Sequence, residues 1–268
     1  MPTSLMLDGK HAVVFGGGGS IGAAVAKEFA TEGAEVFLAG RTSEAIEAVA
    51  KEIDASGGVA HADVVDALDA AAVQAYVESV VQRTGGLDIE FNATGPRVSE
   101  YANGKRAVDL PVDEFMVPVD TVLKAQFITA SAAARKMLEQ GSGVIIFLTG
   151  SPARPHTPAT SGIGAAFGAV ENLTRHMAIE LGPAGLRVVC LRTSANPDSR
   201  TIQDVTDGIA TTMNITSDQA AASLAESTML RVSPRTSDTA KAAAFLASDR
   251  ASMMTGTVLN SSAGAVWD

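Results

Sequence analysis

The sequence is poor in the side chains that carry most enzyme chemistry and that hold structural metals. Its 268 residues include one cysteine, one tryptophan, two tyrosines and four histidines. The single cysteine, Cys190, excludes an internal disulfide and every zinc site that is built on cysteine pairs. The histidines, His11, His61, His156 and His176, are not spaced as pairs of metal ligands. The sequence therefore predicts no metal site.

Positive charge and long apolar runs are scarce as well. The chain has 20 lysines and arginines against 30 aspartates and glutamates, which gives a formal net charge of −10. That balance disfavours nucleic acid and acidic membrane surfaces as partners. No apolar run approaches the roughly 20 residues that span a bilayer, and the first residues lack the profile of a signal peptide. We therefore expect a cytoplasmic protein that acts on a small-molecule substrate.

Short apolar runs alternate along the chain with longer amphipathic stretches. The predicted strands are His11–Phe15, Glu35–Ala39, Val59–Ala62, Leu87–Asn92, Val144–Thr149, Leu186–Leu191 and Thr257–Asn260. The predicted helices between them are Ile21–Thr31, Ser43–Ser56, Asp66–Arg83, Pro111–Glu139, Pro158–Leu181 and Ser237–Ser248. Such alternation predicts an α/β fold, a Rossmann-type doubly wound parallel sheet of about seven strands with right-handed crossovers. We expect residues 1–268 to form this single domain.

An insertion of residues 193–235 interrupts the alternation between the sixth and seventh predicted strands. Thr201–Met213 and Ser217–Thr228 are predicted as short helices inside it. A long insertion at the carboxyl end of a parallel strand often forms a lid over the substrate. The alternative is a helical pair on the surface without a function of its own.

A glycine-rich loop joins the first predicted strand to the first predicted helix. Gly17, Gly19 and Gly22 have the G-x-G-x-x-G spacing of dinucleotide-binding loops. A side chain in such a loop would keep the backbone away from a pyrophosphate, and the helix start offers unpaired N–H groups. The position between strand and helix favours this interpretation over a flexible turn. The residues expected to bind the cofactor here are Gly16, Gly18, Gly19, Ser20 and Ile21.

The end of the second predicted strand offers a cation to the cofactor. Gly40 and Arg41 stand where a carboxylate would bind the ribose 2′-hydroxyl of NAD. A guanidinium favours the 2′-phosphate of NADP, so NADP is expected rather than NAD, unless Arg41 is an ordinary solvated loop residue. The third and fourth strands end at the same rim, where five further residues are expected to contact the cofactor: Asp63, Val64, Asn92, Ala93 and Thr94.

These segments together resemble the short-chain dehydrogenase/reductase family over nearly the whole chain. The family's glycine loop corresponds to residues 15–22, and its Asn-Asn-Ala-Gly motif corresponds to Asn92-Ala93-Thr94-Gly95. Residues 169–175 and 180–188 are further close matches. The resemblance implies that Asp63 contacts the adenine. It also implies a homodimer or homotetramer that is built on the helices predicted at Pro111–Glu139 and Pro158–Leu181.

The same register predicts that the family's usual catalyst is missing. Its Tyr-x-x-x-Lys pair falls on Ile163 and Phe167, and its catalytic serine falls on Gly150. The supporting asparagine of the preceding helix falls near Val122. Proton donors would have to come from other residues near the same rim. The candidates are Ser151, His156 and Tyr101, with Arg154 and Lys124 as further options.

Three functions are compatible with these features. The first is an NAD(P)-dependent oxidoreductase, a reductase of a carbonyl or enoyl small molecule that uses a non-standard proton donor. The second is a catalytically degenerate NADP-binding protein that serves as a sensor, scaffold or regulatory subunit. The third is a non-redox isomerase or lyase in the same pocket. The well-preserved cofactor loop places the first hypothesis slightly ahead.

Overall fold

The computed structural model describes residues 5–101, 104–154 and 158–267. Each predicted strand is confirmed, with ends that shift by at most two residues. The strands are β1 His11–Phe15, β2 Glu35–Gly40, β3 Val59–Val64, β4 Ile89–Asn92, β5 Gly143–Gly150, β6 Leu186–Thr193 and β7 Val258–Ser261. Several of them, such as β1 and β5, are largely apolar because both faces of a doubly wound sheet are covered.

The strands form one parallel sheet in the order β3-β2-β1-β4-β5-β6-β7. The chain proceeds outward from β1 in one direction and then returns to add β4 on the other side. The connections at the carboxyl ends of β1 and β4 therefore separate, and they leave a crevice where such sheets bind ligands. The structure confirms the predicted doubly wound α/β architecture.

Helices cover both faces of the sheet. They are α1 Ser20–Thr31, α2 Ser43–Ala55, α3 Ala70–Thr84, α4 Val112–Pro118, α5 Lys124–Gln140, α6 Ser161–Leu181, α7 Arg200–Met213, α8 Ser217–Glu226 and α9 Thr236–Ala247. One buried cluster lies between the sheet and α1, α2 and α9, and the other lies between the sheet and α3, α5 and α6. The insertion contributes α7 and α8. In the described part of the chain, no helix combines the length and apolarity needed to cross a membrane.

The helix predicted over Pro111–Glu139 is divided in the structure. A π-helical turn, Val119–Leu123, separates α4 from α5. Pro118 causes the change because it has no N–H to donate to the preceding turn. The wider turn buries Val122 beside the end of β4, where a Cβ on Gly95 would lie 4.0 Å from Val122 Cγ2.

The helix predicted from Asp66 begins four residues later, at Ala70. Its N-cap is Asp69, whose carboxylate accepts hydrogen bonds from the N–H groups of Ala71 and Ala72, both at 3.0 Å. Asp66 instead accepts a hydrogen bond from Leu68 N at 3.0 Å. The correction places Asp66 in the loop after β3, at the carboxyl edge of the sheet, rather than in a helix.

Candidate functional site

A cavity of about 240 Å³ occupies the crevice between the connections of β1 and β4. All of its walls come from segments at the carboxyl ends of β1, β2, β3 and β4. They are Phe15, Gly16, Gly18 and Gly19; Gly40, Arg41, Thr42, Ala45 and Ile46; Val65, Asp66 and Ala67; and Ala93, Thr94 and Gly95.

The glycine loop is closely packed, which argues against a merely flexible turn. Gly16 has φ +73°, and a Cβ there would lie 2.9 Å from the carbonyl carbon of Ala93. A Cβ on Gly18 would lie 2.9 Å from Ala45 Cβ. Within the described residues, the N–H groups of Gly18, Ser20 and Ile21 have no acceptor. This cradle of small residues and free donors is suited to a diphosphate.

Arg41 lines the cavity from the loop after β2. Its side chain is exposed, and it forms no ion pair with any residue that the structure describes. The hydroxyl of Ser43 behind it is engaged with Glu47, to which it donates a hydrogen bond of 2.6 Å. Arg41 is therefore an available cation at the cavity wall.

The end of β3 and the loop after it carry two aspartates, Asp63 and Asp66, in different surroundings. Asp63 pairs with Arg83 at 3.7 Å, and the Val64 side chain is exposed; neither lines the cavity. Asp66, three residues further along, does line it. Asp69 caps α3, and Asp66 lies in the loop before it, where one carboxylate oxygen accepts a hydrogen bond from Leu68 N. Of these two aspartates, Asp66 is the one that lines the cavity, and the adenine contact expected of Asp63 stays a prediction.

Asn92, the last residue of β4, supports the loop that follows this strand. Its side chain is fully buried, its Oδ1 accepts a hydrogen bond from Thr94 N at 2.7 Å, and its Nδ2 donates to Thr129 Oγ1 at 2.8 Å. These bonds hold the loop of Ala93 and Thr94 against the glycine loop. The contact with the cofactor expected of Asn92 stays a prediction, and its observed partners show that it supports that loop.

Apolar packing fills the segment where the family's catalyst is expected. A Cβ on Gly150 would lie 3.1 Å from the Phe167 ring, and Ile163 is buried in the core beneath. Contacts within the chain explain two glycines of α6, since added Cβ atoms at Gly162 and Gly164 would approach the carbonyl oxygens of Phe115 and Pro152; a Cβ on Gly168 would meet no described atom within 4 Å. The Phe167 ring therefore covers Gly150 at the carboxyl end of β5.

The candidate proton donors differ in their surroundings. Ser151 is nearly buried and begins a short 3₁₀ turn, Ser151–Ala153. Tyr101 is half-buried against the core, and burial raises the pKa of its phenol. Within the described residues neither hydroxyl makes a hydrogen bond. Lys124 is exposed on α5, and His156 lies outside the described residues.

A buried ion pair lies one turn beneath Phe167. Arg192 on β6 is fully buried and donates to both carboxylate oxygens of Glu171 on α6, at 2.7 and 2.9 Å. Thr149 donates to Glu171 Oε1 at 3.4 Å and lies 3.3 Å from Cys190 Sγ. This pair was not predicted from the sequence. The one sequence feature that indicates it is a charged residue, Arg192, at the end of the apolar run of β6.

A second buried carboxyl, that of Glu90, lies inside the sheet on β4. The side chain is fully buried, and neither of its oxygens has a hydrogen-bond partner of good geometry within the described chain. Burial raises the pKa of Glu90 from 4.5 to about 8, and the Thr129 hydroxyl opposes part of that shift. At neutral pH Glu90 is therefore mostly a neutral acid.

The raised pKa predicts a loss of stability with rising pH. The folded chain holds the Glu90 proton more tightly than the unfolded chain does. The contribution of this proton to the free energy of unfolding is therefore complete below pH 4.5 and is lost as the pH rises towards 8. The slope approaches about 1.4 kcal/mol per pH unit within that window. Glu90→Gln is expected to remove this slope in urea unfolding between pH 5 and 8. Glu180→Gln, on the exposed end of α6, is the matched control, and equal slopes in both variants would contradict the prediction.

Comparison with known proteins is consistent with this architecture. Residues 17–265 match a family model that is described as enoyl-(acyl carrier protein) reductase. An uncharacterised oxidoreductase of Methylorubrum extorquens is 34% identical over 259 residues, which cover 96% of this chain and 98% of that protein. The 7alpha-hydroxysteroid dehydrogenase of Escherichia coli is 28% identical over 263 residues, which cover 98% of this chain and 96% of that protein.

Solved structures show the same likeness. A 7alpha-hydroxysteroid dehydrogenase in complex with NADH and 7-oxo glycochenodeoxycholic acid has a TM-score of 0.86 and 28% identity, and the match covers 99% of this chain and 97% of that one. An actinorhodin polyketide ketoreductase with NADPH has a TM-score of 0.88 at 21% identity, over 96% of this chain and 97% of that one, which is a likeness of fold alone.

Proposed function

The chain belongs to the short-chain dehydrogenase/reductase family, and we propose that it is an NADP-dependent reductase of a carbonyl or enoyl small molecule that uses a non-standard proton donor. The observation that carries the proposal is the cavity between the ends of β1 and β4, whose walls include both the glycine cradle and Arg41.

The residues of the cavity fit a dinucleotide. Gly18, Ser20 and Ile21 offer free N–H groups to the diphosphate, Asp66 reaches the adenine side, and Arg41 offers its guanidinium to the 2′-phosphate. When bound, NADPH supplies a hydride. The relatives support a nicotinamide cofactor, since one solved neighbour is complexed with NADH and another with NADPH.

The proton must come from the chain's own residues or from solvent. Ser151 lies one residue beyond Gly150 at the end of β5, and its hydroxyl is not engaged within the described chain. A donor there stabilises a developing oxyanion by a hydrogen bond. A phenol is already protonated at neutral pH, and burial raises the pKa of Tyr101 further, so Tyr101 serves as a hydrogen-bond donor rather than as a base. His156 is the candidate whose ordinary pKa best matches proton transfer near neutral pH.

The test is equilibrium binding of NADPH and NADH, followed by transfer of labelled hydride to a panel of carbonyl and enoyl compounds. Binding with transfer is the expected result. Ser151→Ala, Tyr101→Phe and His156→Gln would then identify the donor by the rate that falls. If the wild-type chain binds neither nucleotide, the proposal is wrong; unchanged rates in all three variants would reject these donors.

Arg41 is expected to decide between the two cofactors. In the Arg41→Ala variant, the affinity for NADPH should fall about tenfold or more, because a charge-assisted pair with the 2′-phosphate is lost. The affinity for NADH should change little. Titration of both nucleotides measures the ratio, with Lys51→Gln, another exposed cation on α2, as the control. Equal losses for NADPH and NADH would mean that Arg41 does not contact the 2′-phosphate.

One observation favours a second candidate function, a catalytically degenerate NADP-binding sensor, scaffold or regulatory subunit. The Phe167 ring lies against Gly150, so two of the family's catalytic positions are packed against each other. Nucleotide binding without hydride transfer to any compound of the panel would support this alternative. Turnover of a bound compound without transfer of label would instead support a non-redox isomerase or lyase.

A homodimer or homotetramer is also proposed. Phe127 and Leu138 on α5 and Ile179 on α6 are large apolar side chains that are exposed in the single chain. A second copy would cover them, as the resemblance to the family implies. Light scattering of the purified protein measures the oligomeric state, and a monomer at micromolar concentration would contradict this proposal.

A further inference from the structure

The carboxyl group of Glu90 lies on the strand that leads into one wall of the nucleotide cavity. β4 ends at Asn92, two residues after Glu90, and the next two residues, Ala93 and Thr94, line the cavity. Side chains two residues apart on a strand point to the same face of the sheet. Glu90 and Asn92 therefore face the same helical layer, in which α5 places Thr129 beside both of them.

Within the described chain, no charged side chain offsets the burial of Glu90. Its neighbours on the adjacent strands, Val13 of β1 and Ile145 of β5, are buried and apolar. The titratable side chains of β1, α3 and α5 and of the residues just before β4 are His11, Tyr76, Glu78, Arg83, Asp88, Lys124, Arg135, Lys136 and Glu139. Among them only Tyr76 is buried, and none contributes to the raised pKa of Glu90. The carboxyl group therefore lies in an apolar setting that favours its neutral form.

Thr129 connects Glu90 to Asn92. Its hydroxyl oxygen accepts a hydrogen bond from Asn92 Nδ2 at 2.8 Å, and its own proton is donated to Gln126 O at the long distance of 3.3 Å. Burial raises the pKa of Glu90, and the same hydroxyl opposes part of that rise, as a donor to a carboxylate does. A hydroxyl has one proton, so Thr129 donates either to Gln126 O or to an ionised Glu90.

The two protonation states of Glu90 place different demands on these donors. A neutral carboxyl carries its own proton, and it leaves the bonds of Thr129 and Asn92 as the structure shows them. A carboxylate buried without a partner is costly, so it draws donors from its surroundings. The donors on this face of β4 are the Thr129 hydroxyl and the Asn92 amide. If the Asn92 amide turns towards Glu90, its Oδ1 no longer holds Thr94 N, which it binds at 2.7 Å.

The loop that Asn92 holds cannot move without changing the cavity. A Cβ on Gly16 would lie 2.9 Å from the carbonyl carbon of Ala93, so the backbones of the two loops are in close contact. Ala93 N also donates a hydrogen bond to Phe15 O at 2.9 Å. A shift of Ala93 and Thr94 therefore moves a wall of the cavity.

We propose that Glu90 is a positioning residue of the nucleotide site: its neutral form keeps Asn92 bound to Thr94, and its ionised form releases the loop of Ala93 and Thr94. The proposal rests on the proposed nucleotide-binding function. Glu90 acts through Thr129 and Asn92, and it touches neither substrate nor cofactor. The pKa of about 8 sets the direction: the binding form is complete well below pH 8 and is lost as the pH rises through that value.

The experiment titrates NADH into the wild-type chain between pH 6 and pH 9. NADH is the probe because it lacks the 2′-phosphate, which itself loses a proton at roughly pH 6. The wild type is expected to bind about tenfold more weakly at pH 9 than at pH 6, the effect of one lost hydrogen bond in the wall. Glu90→Gln has no proton to lose and should keep one affinity throughout. Glu180→Gln, on the exposed end of α6, should follow the wild type.

Proton uptake is a readout that a merely structural role would not move. If the neutral form of Glu90 binds the nucleotide better, binding must in turn favour the neutral form, because the coupling is reciprocal. NADH binding to the wild type at pH 8 should therefore take up protons from the buffer, and binding to Glu90→Gln should take up fewer. Calorimetry in two buffers of different ionisation enthalpy measures the number.

Thr129→Val tests the connection without changing the carboxyl. Valine has the shape of threonine, but it can neither accept from Asn92 nor donate to Glu90. The variant is expected to bind NADH at pH 6 about as weakly as the wild type does at pH 9, with little change between the two. Ser131→Ala, at a partly exposed position of the same helix, should behave as the wild type.

The outcomes separate the role of Glu90 from the function on which it rests. If the wild type binds NADH equally at pH 6 and pH 9, or if Glu90→Gln keeps the pH dependence of the wild type, the role of Glu90 is overturned and the proposed function stands. Wild-type behaviour of Thr129→Val would overturn it as well. If the wild type binds no nucleotide at any pH, the proposed function and the role of Glu90 both fail. Circular dichroism melting of each variant at each pH identifies any loss that comes from unfolding.

Discussion

The Glu171→Gln variant is expected to lose about 3–5 kcal/mol of unfolding free energy. Arg192 is fully buried, and Glu171 holds its guanidinium by two short hydrogen bonds. An amide of the same shape keeps the packing but removes the negative charge, so the buried guanidinium loses the carboxylate that it contacts at 2.7 and 2.9 Å. A loss of this size is a large fraction of the stability of an ordinary domain. Urea unfolding at neutral pH measures it.

The paired replacement of both residues distinguishes the charge from the packing. In the Glu171→Leu, Arg192→Met double variant both charges disappear together, and stability is expected to return to about that of the wild type or above it. Glu180→Gln, on the exposed end of the same helix, should change stability by less than about 0.5 kcal/mol. A loss of under about 1 kcal/mol in Glu171→Gln would show that the pair is not desolvated as the structure indicates.

The Gly22→Ala variant is expected to weaken NADPH binding by roughly a hundredfold, which corresponds to about 3 kcal/mol. A Cβ at Gly22 would overlap the carbonyl oxygen of Gly16 and would lie 2.8 Å from its carbonyl carbon. Both atoms belong to the backbone, so the glycine loop itself must move. Overpacking of this kind typically costs about 1–3 kcal/mol of stability as well. Nucleotide titration and thermal unfolding measure the two effects separately.

Gly208 offers a matched control for this substitution. It lies inside α7, and a Cβ there would meet no atom within 4 Å. Gly208→Ala is therefore expected to leave NADPH binding unchanged and to stabilise the chain by up to about 1 kcal/mol, since alanine is the better helix former. Wild-type affinity in Gly22→Ala would contradict the close packing between the start of α1 and the glycine loop.

Local patterns were sufficient for the framework of the fold. The apolar runs at residues 11–15 and 186–191 each form a buried strand. A strand that is covered on both faces is largely apolar, so a short apolar run indicates such a strand. The glycine loop could be identified from the sequence because its close backbone packing requires glycine. A side chain at Gly16 would prevent the close approach to Ala93. The predicted start of α3 was wrong because Asp66 and Asp69 are both good N-cap residues. In the structure Asp69 is the N-cap, a choice that depends on how the helix packs.

The catalytic segment shows the limit of the same reasoning. Counting along the sequence placed Gly150 and Phe167 at two catalytic positions, but the count carries no information on what fills the space there. The structure shows the aromatic ring against the glycine, and beneath it the pair of Glu171 and Arg192, which are 21 residues apart. Neither contact follows from periodicity, because each depends on how a helix sits on two particular strands.

The sequence by itself determined the order of strands and helices and the glycine loop between β1 and α1, and it predicts which residues stand at the family's catalytic positions. These depend on period, on glycine and on spacing, all of which act over a few neighbouring residues. The tertiary structure alone decided that Asp66 rather than Asp63 lines the cavity, that Glu90 is buried within the sheet, and that Thr129 contacts Asn92. The physical reason is that segments far apart in the chain determine burial and hydrogen-bond partners. These segments become neighbours only when the sheet has formed.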